Sequence, residues 1–238
     1  MRQVCLDTET TGLDYKSGHR IIELGCVELL DGKLTGNDLH IYFNPERDSD
    51  PDALRVHGLT TEFLSDKPLF ADKADQIIEY LSGAQLIIHN AAFDMGFLNT
   101  EFSLCGKPLL DSFINGFIDS RNYARENGFA SAVITLDKLY KDLVDETFDK
   151  SKDRKIHGAL LDATMLAKVF IKLNSGQNDL FSEVQVEAKQ EHGEAVTSGS
   201  VDLSKFDLKL VKVSEEEMKA HSEYIATLAA ESKKEINW

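Results

Sequence analysis

The sequence predicts a mixed α/β domain, one sheet flanked by helices, followed by a polar linker and a short C-terminal segment. Three observations carry the prediction. Residues up to Pro45 read as strands, with Asp31-Gly32 as a hairpin turn. From Ala74 onward apolar residues recur at helical spacing, interrupted by one wholly apolar run at Gln85–His89. The periodicity then stops near Asn174, well before Trp238.

Residues 3–8 form the first predicted strand, which turns at Gly12, and residues 20–30 the second. A third strand is expected over about 37–43, completing an antiparallel meander. Ala74, Ile77, Ile78 and Leu81 share a helix face, and Gly83 is the expected stop. The run at Gln85–His89 suits a strand covered on both faces. Phe93, Phe97, Leu98 and Phe102 mark the next helix, ending at Gly106. Leu136, Leu139, Tyr140 and Leu143 mark another, with Thr135 as N-cap. The last long helix carries Leu161, Met165, Leu166, Val169 and Phe170. Strands and helices in this order build one sheet with helices packed on it.

These patterns set boundaries at 1–174 for the main domain, 175–205 for a linker and 206–238 for a terminal segment. Residues 182–204 hold five acidic residues against one basic residue, Lys189, and read as a solvated linker. Beyond it Phe206, Leu208 and Leu210 alternate. Ser214 and Glu217 then have the spacing of a capping box. So short a segment cannot bury a core alone. Its apolar residues, including Tyr224, Ile225, Leu228 and Trp238, need a partner surface or the chain's own main domain.

The net charge of −15 argues against a free-standing nucleic-acid binder, unless metal ions or partner proteins supply positive charge. No apolar run approaches the roughly 20 residues that span a bilayer, and no apolar signal core opens the chain, so a cytoplasmic protein is expected. Cys5, Cys26 and Cys105 are odd in number and set among apolar residues, as reduced core thiols are.

Several acids lie where a carboxylate is costly. Asp7 and Glu9 end the first strand two residues apart, on one face. Asp94 follows the apolar strand, and Asp162 lies at the edge of the last helix's buried face. His157 precedes that helix. Singly, each has an ordinary reading: a strand ending in a polar loop, a helix-dipole carboxylate, a structural histidine. Jointly they are the inventory of a two-metal hydrolase, with acids to hold two hard cations and one base of near-neutral pKa.

Asp7-Thr8-Glu9-Thr10-Thr11-Gly12, His89-Asn90-Ala91-Ala92-Phe93-Asp94 and His157-Gly158-Ala159-Leu160-Leu161-Asp162 resemble, in order and separation, the three motifs of the DEDDh exonuclease family. The likeness extends through Ile21–Gly25, Val56-His57-Gly58 and the tail to the proofreading branch that serves bacterial DNA polymerase III. It implies a ribonuclease H-like fold and 3′→5′ hydrolysis of DNA to 5′-monophosphates with two divalent cations, Mg²⁺ or Mn²⁺. Asp7 would bridge the metals, Glu9 and Asp162 would complete one site, and Asp94 would serve the other. Asp7, Glu9 and Asp162 would also face the substrate. His157 would be the general base, and Asp52 and His57 would contact the terminal nucleotide, although the family more often has Glu at the position of Asp52.

The resemblance also implies tethers. Gln177-Asn178-Asp179-Leu180-Phe181 is similar to a sliding-clamp-binding peptide, with Gln177, Leu180 and Phe181 as its key residues and Asn178 as a departure. Residues 206–238, through Phe206, Leu208, Leu210 and Trp238, would bind the polymerase's catalytic alpha subunit. Partners would then be a frayed or single-stranded 3′ end, the alpha subunit, the beta clamp and a small theta subunit. Tethering raises effective concentration to about the mM range, so an acidic enzyme would need little affinity of its own for DNA. A free-standing nuclease of RNA or oligonucleotide ends, or a mainly structural adaptor, are the competing readings.

Overall fold

A computed structural model describes residues 1–129, 134–154 and 156–182, with side chains through Ser175. In chain order the elements are strands β1 (Arg2–Thr10), β2 (Ile21–Leu30), β3 (Lys33–Leu34) and β4 (Leu39–Tyr42), then helices α1 (Pro51–His57), α2 (Thr61–Leu64) and α3 (Phe70–Leu81). Strand β5 (Gln85–Ile88), helix α4 (Ala91–Leu104), strand β6 (Phe117–Asp119) and helices α5 (Ser120–Glu126), α6 (Leu136–Leu143), α7 (Lys150–Asp153) and α8 (Ala159–Ser182) follow.

The sheet runs β3-β2-β1-β5-β6, with β4 also paired to β2. The hairpin after β2 forms at Asp31 and Gly32, whose φ angles of 50° and 74° are the consecutive left-handed pair that a two-residue hairpin needs. β1 pairs antiparallel with β2 and parallel with β5. Its period of two divides the core: Val4 and Leu6 pack with α3 and α4, whereas Cys5 packs on the other face with α6 and α8. Leu86 and Ile88 take the first face of β5 and Ile87 the second, which is why this strand reads as a continuous apolar run. Cys5 and Cys26 are free, buried thiols, and Cys105 is free and half-buried.

Two features place the ends of these elements together. Pairing of β1 with β5 stops at Leu6–Ile88, so Asp7 and Glu9 extend beyond it at the carboxyl ends of two parallel strands. That is the usual ligand side of a parallel sheet. Gly25, opposite Asp7 on β2, then lets the first turn of α8 come close. A Cβ there would lie 2.2 Å from the backbone nitrogen of Leu160.

The predicted meander, the α3 and α4 helices, the Thr135 cap (which accepts from Lys138 N–H) and the two-faced strand all appear. Sequence periodicity misses α1, α2, β6, α5 and α7, which are too short to show a period. Leu161, expected on the apolar stripe of α8, is instead 45% exposed. α8 continues past Asn174 to Ser182, so the backbone of Gln177, Leu180 and Phe181 is helical while their side chains lie outside the described residues. Phe206, Leu208, Leu210, Trp238 and the Ser214–Glu217 cap also lie outside them. Among the described residues no helix is long and apolar enough to cross a membrane.

Candidate active site

Five predicted residues from four separate segments line one cavity of about 410 Å³: Asp7, Glu9, Asp94, His157 and Asp162. β1 contributes Asp7 and Glu9 at positions of one strand face. Asp94 comes from the first turn of α4, whose entry residue Asn90 takes a left-handed φ of 77°. Its Oδ1 accepts from Thr8 N–H at 3.0 Å and Thr8 Oγ1–H at 2.7 Å, which binds α4 to the end of β1. Asp162 lies in the first turn of α8 and is 2% exposed. His157 precedes α8 and is fixed by its own N–H to the carbonyl of Val56 at 3.0 Å. Glu9, His157 and Asp162 each offer a ligand atom within 4.8 Å of the other two.

This crowding disfavours negative charge. Burial, with Asp94, Asp162 and Glu9 as neighbours, holds the Asp7 carboxyl well above the ordinary range. Burial, and then Asp162 and Glu23, push Glu9 up to about 8. Burial raises Asp94 to about 7, against the two bonds from Thr8 that favour its charged form. Hard oxygen donors held together at such a cost suit a hard divalent cation, and the donor set fits Mg²⁺ or Mn²⁺ better than a thiolate-preferring metal.

The protein supplies one cation of its own at the centre of this cluster. Arg154, 5% exposed, donates from Nε to Asp162 Oδ1 at 2.6 Å and from Nη2 to Asp162 Oδ2. Nη2 also donates to His157 Nδ1 at 2.9 Å, and Nη1 donates to Asp137. A guanidinium has no acceptor, so Nδ1 of His157 carries the lone pair in that bond. The sequence reading missed Arg154. It lies among Lys150, Lys152 and Asp153, a stretch that reads as solvated, and only its burial reveals the role.

A second cavity of about 680 Å³ adjoins the first, sharing Thr8, Glu9 and Phe93 with it. Leu13, Pro51, Val56 and Phe93 give it apolar walls, and both Asp52 and His57 line it. His57 is 2% exposed. Its Nδ1 accepts from Leu59 N–H at 2.9 Å, so the neutral ring carries its proton on Nε2, and that atom is buried without a partner. Burial also lowers the His57 pKa, which keeps the ring neutral. Asp52 is different: its side chain is 86% exposed and paired with Arg55 one turn along α1.

Comparison with known proteins agrees with this geometry. The exonuclease family profile RNase_T matches residues 4–170. The chain is 41% identical over 245 residues to the DNA polymerase III subunit epsilon of Pasteurella multocida, covering all of this chain and 93% of that one. It is 42% identical over 226 residues to the Escherichia coli K12 subunit of the same name, covering 92% and 90%. Among solved structures, the nuclease domain of 3′hExo, a DEDDh family member bound to rAMP, shares the fold with a TM-score of 0.59. That match has 19% identity and covers 74% of this chain and 92% of that one. The predicted ribonuclease H-like class stands.

Proposed function

The chain belongs to the exonuclease family, and on that premise we propose that it removes 3′-terminal nucleotides from DNA by two-metal hydrolysis, proofreading for a DNA polymerase III core. One observation carries the chemistry: four carboxylates and a histidine from four segments converge on one cavity, with three of the acids held above their ordinary pKa. Asp7 would bridge two cations, Glu9 and Asp162 would complete one site, and Asp94 would serve the other. Two Mg²⁺ or Mn²⁺ ions there would supply an acidified water and neutralise charge on the attacking and leaving oxygens.

The chain's own groups do the rest. The apolar cavity takes the terminal nucleoside, and Nε2–H of His57 donates to it, filling an otherwise unmade bond. Asp52 borders the same cavity from solvent and contributes less. Thr8 and Phe93, common to both cavities, set the boundary between the nucleoside and the scissile phosphate. His157 takes the proton from the attacking water at Nδ1 once Arg154 gives up that atom. The bond from Nη1 to Asp137 keeps the guanidinium in the site while it does so. The leaving group is the 3′ oxygen of the next nucleotide, so the product is a 5′-monophosphate.

Residues 1–174 would be the nuclease. The linker at 175–205 would carry the clamp-binding peptide with Gln177, Leu180 and Phe181, and 206–238 would bind the alpha subunit through Phe206, Leu208, Leu210 and Trp238. A small theta subunit, where present, would be a further partner, and the assembly would work in the cytoplasm. Relatives carrying the polymerase subunit's name, matched over nearly the whole chain, support this assignment.

Asp7→Ala combined with Glu9→Ala tests the centre. Release of monophosphates from a single-stranded 3′ end with Mg²⁺ or Mn²⁺ should fall by at least about 10³-fold, the scale of losing a pre-organised electrostatic centre. The far-ultraviolet circular dichroism should be unchanged. Full activity in the double variant would overturn the assignment.

A further inference from the structure

We propose that Arg121 binds the phosphate one step 5′ of the bond being cut, making it a substrate-binding residue that favours strands over the shortest oligonucleotides. The proposal rests on the exonuclease reading above and adds to it a contact outside the reacting centre.

Among the described residues three cations line the carboxylate cavity: Lys150, Arg154 and Arg121. Two of them are committed to acids. Lys150 pairs with Asp137 at 2.9 Å, and Arg154 is divided between Asp162 and Asp137. Arg121 is not committed in this way. Its Nη2 donates to a neutral acceptor, the side-chain oxygen of Asn90. The carboxylate recorded nearest to it, Asp119 Oδ1, stands 4.0 Å from Nε. Asp119 is already engaged by two backbone N–H groups, those of Arg121 itself and of Ala91, each at 2.9 Å. Nε of Arg121 is buried and has no partner. A donor left unmade on a charged, half-buried group costs more than a neutral one does, and an anion at that fork removes the cost.

The course of the strand decides which anion. The two cavities meet at Thr8, Glu9 and Phe93. With the terminal nucleoside on the His57 side, the reacting phosphate lies over the carboxylates. The next phosphate must leave through a different wall of the carboxylate cavity. Arg121 lines that cavity and not its neighbour, and among the described residues it is the lining cation with a buried donor that has no partner. Its position is firm, because its backbone is fixed at the β6–α5 junction and its side chain at the entry of α4. A planar guanidinium that keeps unused donors is the group that phosphate oxygens fit best.

The test compares substrates that differ by one phosphate. The dinucleotide d(TpT) has only the bond being cut, whereas d(TpTpT) has that bond and one phosphate 5′ of it. With the full chain and Mg²⁺, the ratio of initial kcat/KM for trinucleotide over dinucleotide should fall about tenfold in Arg121→Ala, the scale of one charge-assisted contact. Arg121→Lys should recover part of the ratio. The salt dependence of trinucleotide cleavage should weaken by about one unit of log–log slope. An unchanged ratio in a variant whose melting temperature matches the wild type would overturn the proposal. If the wild type cut neither substrate, the exonuclease reading would fail first and this contact would fall with it.

Discussion

The two adjoining cavities differ in how their histidines and carboxylates are held, although each leaves one buried donor, Arg121 Nε in the first and His57 Nε2 in the second, without a partner. In the carboxylate cavity Asp162 is gripped by Arg154 through both oxygens, His157 accepts from the same guanidinium, and Asp94 accepts twice from Thr8. In the apolar cavity His57 presents a buried Nε2 with no partner, and Asp52 turns to solvent. The first is built to hold charge in a fixed arrangement. The second waits for a ligand that brings its own acceptor. On the proposed function, reaction and recognition would occupy separate spaces, divided by Thr8, Glu9 and Phe93.

The largest effect should come from breaking the ion pair that holds Asp162. Arg154→Ala leaves Asp162 buried beside Glu9 and Asp7 without its counter-charge. Removing one partner of a buried ion pair costs about 3–5 kcal/mol. Urea denaturation with a chelator present should show a loss of that size, and divalent cations should restore part of it by linkage. A loss below about 1 kcal/mol would mean that the carboxylates tolerate one another unaided, and the contrast between the cavities would weaken.

The pH dependence follows from the same acids. Glu9 and Asp94 have folded pKa values of about 8 and about 7, above ordinary carboxylate values, and Asp7 is raised too. Between those ordinary values and about pH 8 the folded protein therefore binds more protons than the unfolded chain. Stability from these groups is fully present at acid pH and is lost as pH rises through the folded values. In chelator, the melting temperature should fall between about pH 5 and 8.5, and Mg²⁺ should flatten the decline because metal displaces the protons. Glu9→Gln should reduce the slope. A flat profile in chelator would show that the acids do not share their charge burden.

How much of this was legible depended on length and repetition. β5 was readable because Leu86, Ile87 and Ile88 form an unbroken apolar run, and α4 because Phe93, Phe97, Leu98 and Phe102 recur at helical spacing. α1 was not, since His57 is the one buried residue among its seven, and a single point defines no period. The acids Asp7, Glu9, Asp94 and Asp162 were legible because a carboxylate beside an apolar run is conspicuous in the sequence. Arg154 and Arg121 were not, because a cation in a charged stretch looks solvated until the fold buries it. Leu161 erred in the other direction. The first turn of α8 meets the core through Ala159 and Leu160, and Leu161 lies off that face, 45% exposed.

The smallest effect belongs to the apolar cavity. On the proposed function, His57→Ala removes a donor that would bond only when a nucleotide is present, and the folded protein loses no existing partner of Nε2. Stability should change mainly through the lost packing and the loss of the Leu59 N–H bond. On an oligonucleotide, KM should rise about tenfold, the value of one hydrogen bond formed on binding, with kcat falling less. Asp52→Asn should change either constant by less than about twofold, because an exposed pair with Arg55 contributes little. Steady-state kinetics on one single-stranded substrate decides both. If the kcat of His57→Ala fell as far as that of a carboxylate variant, the apolar cavity would share in the reaction itself. The division at Thr8, Glu9 and Phe93 would then separate parts of one reacting centre.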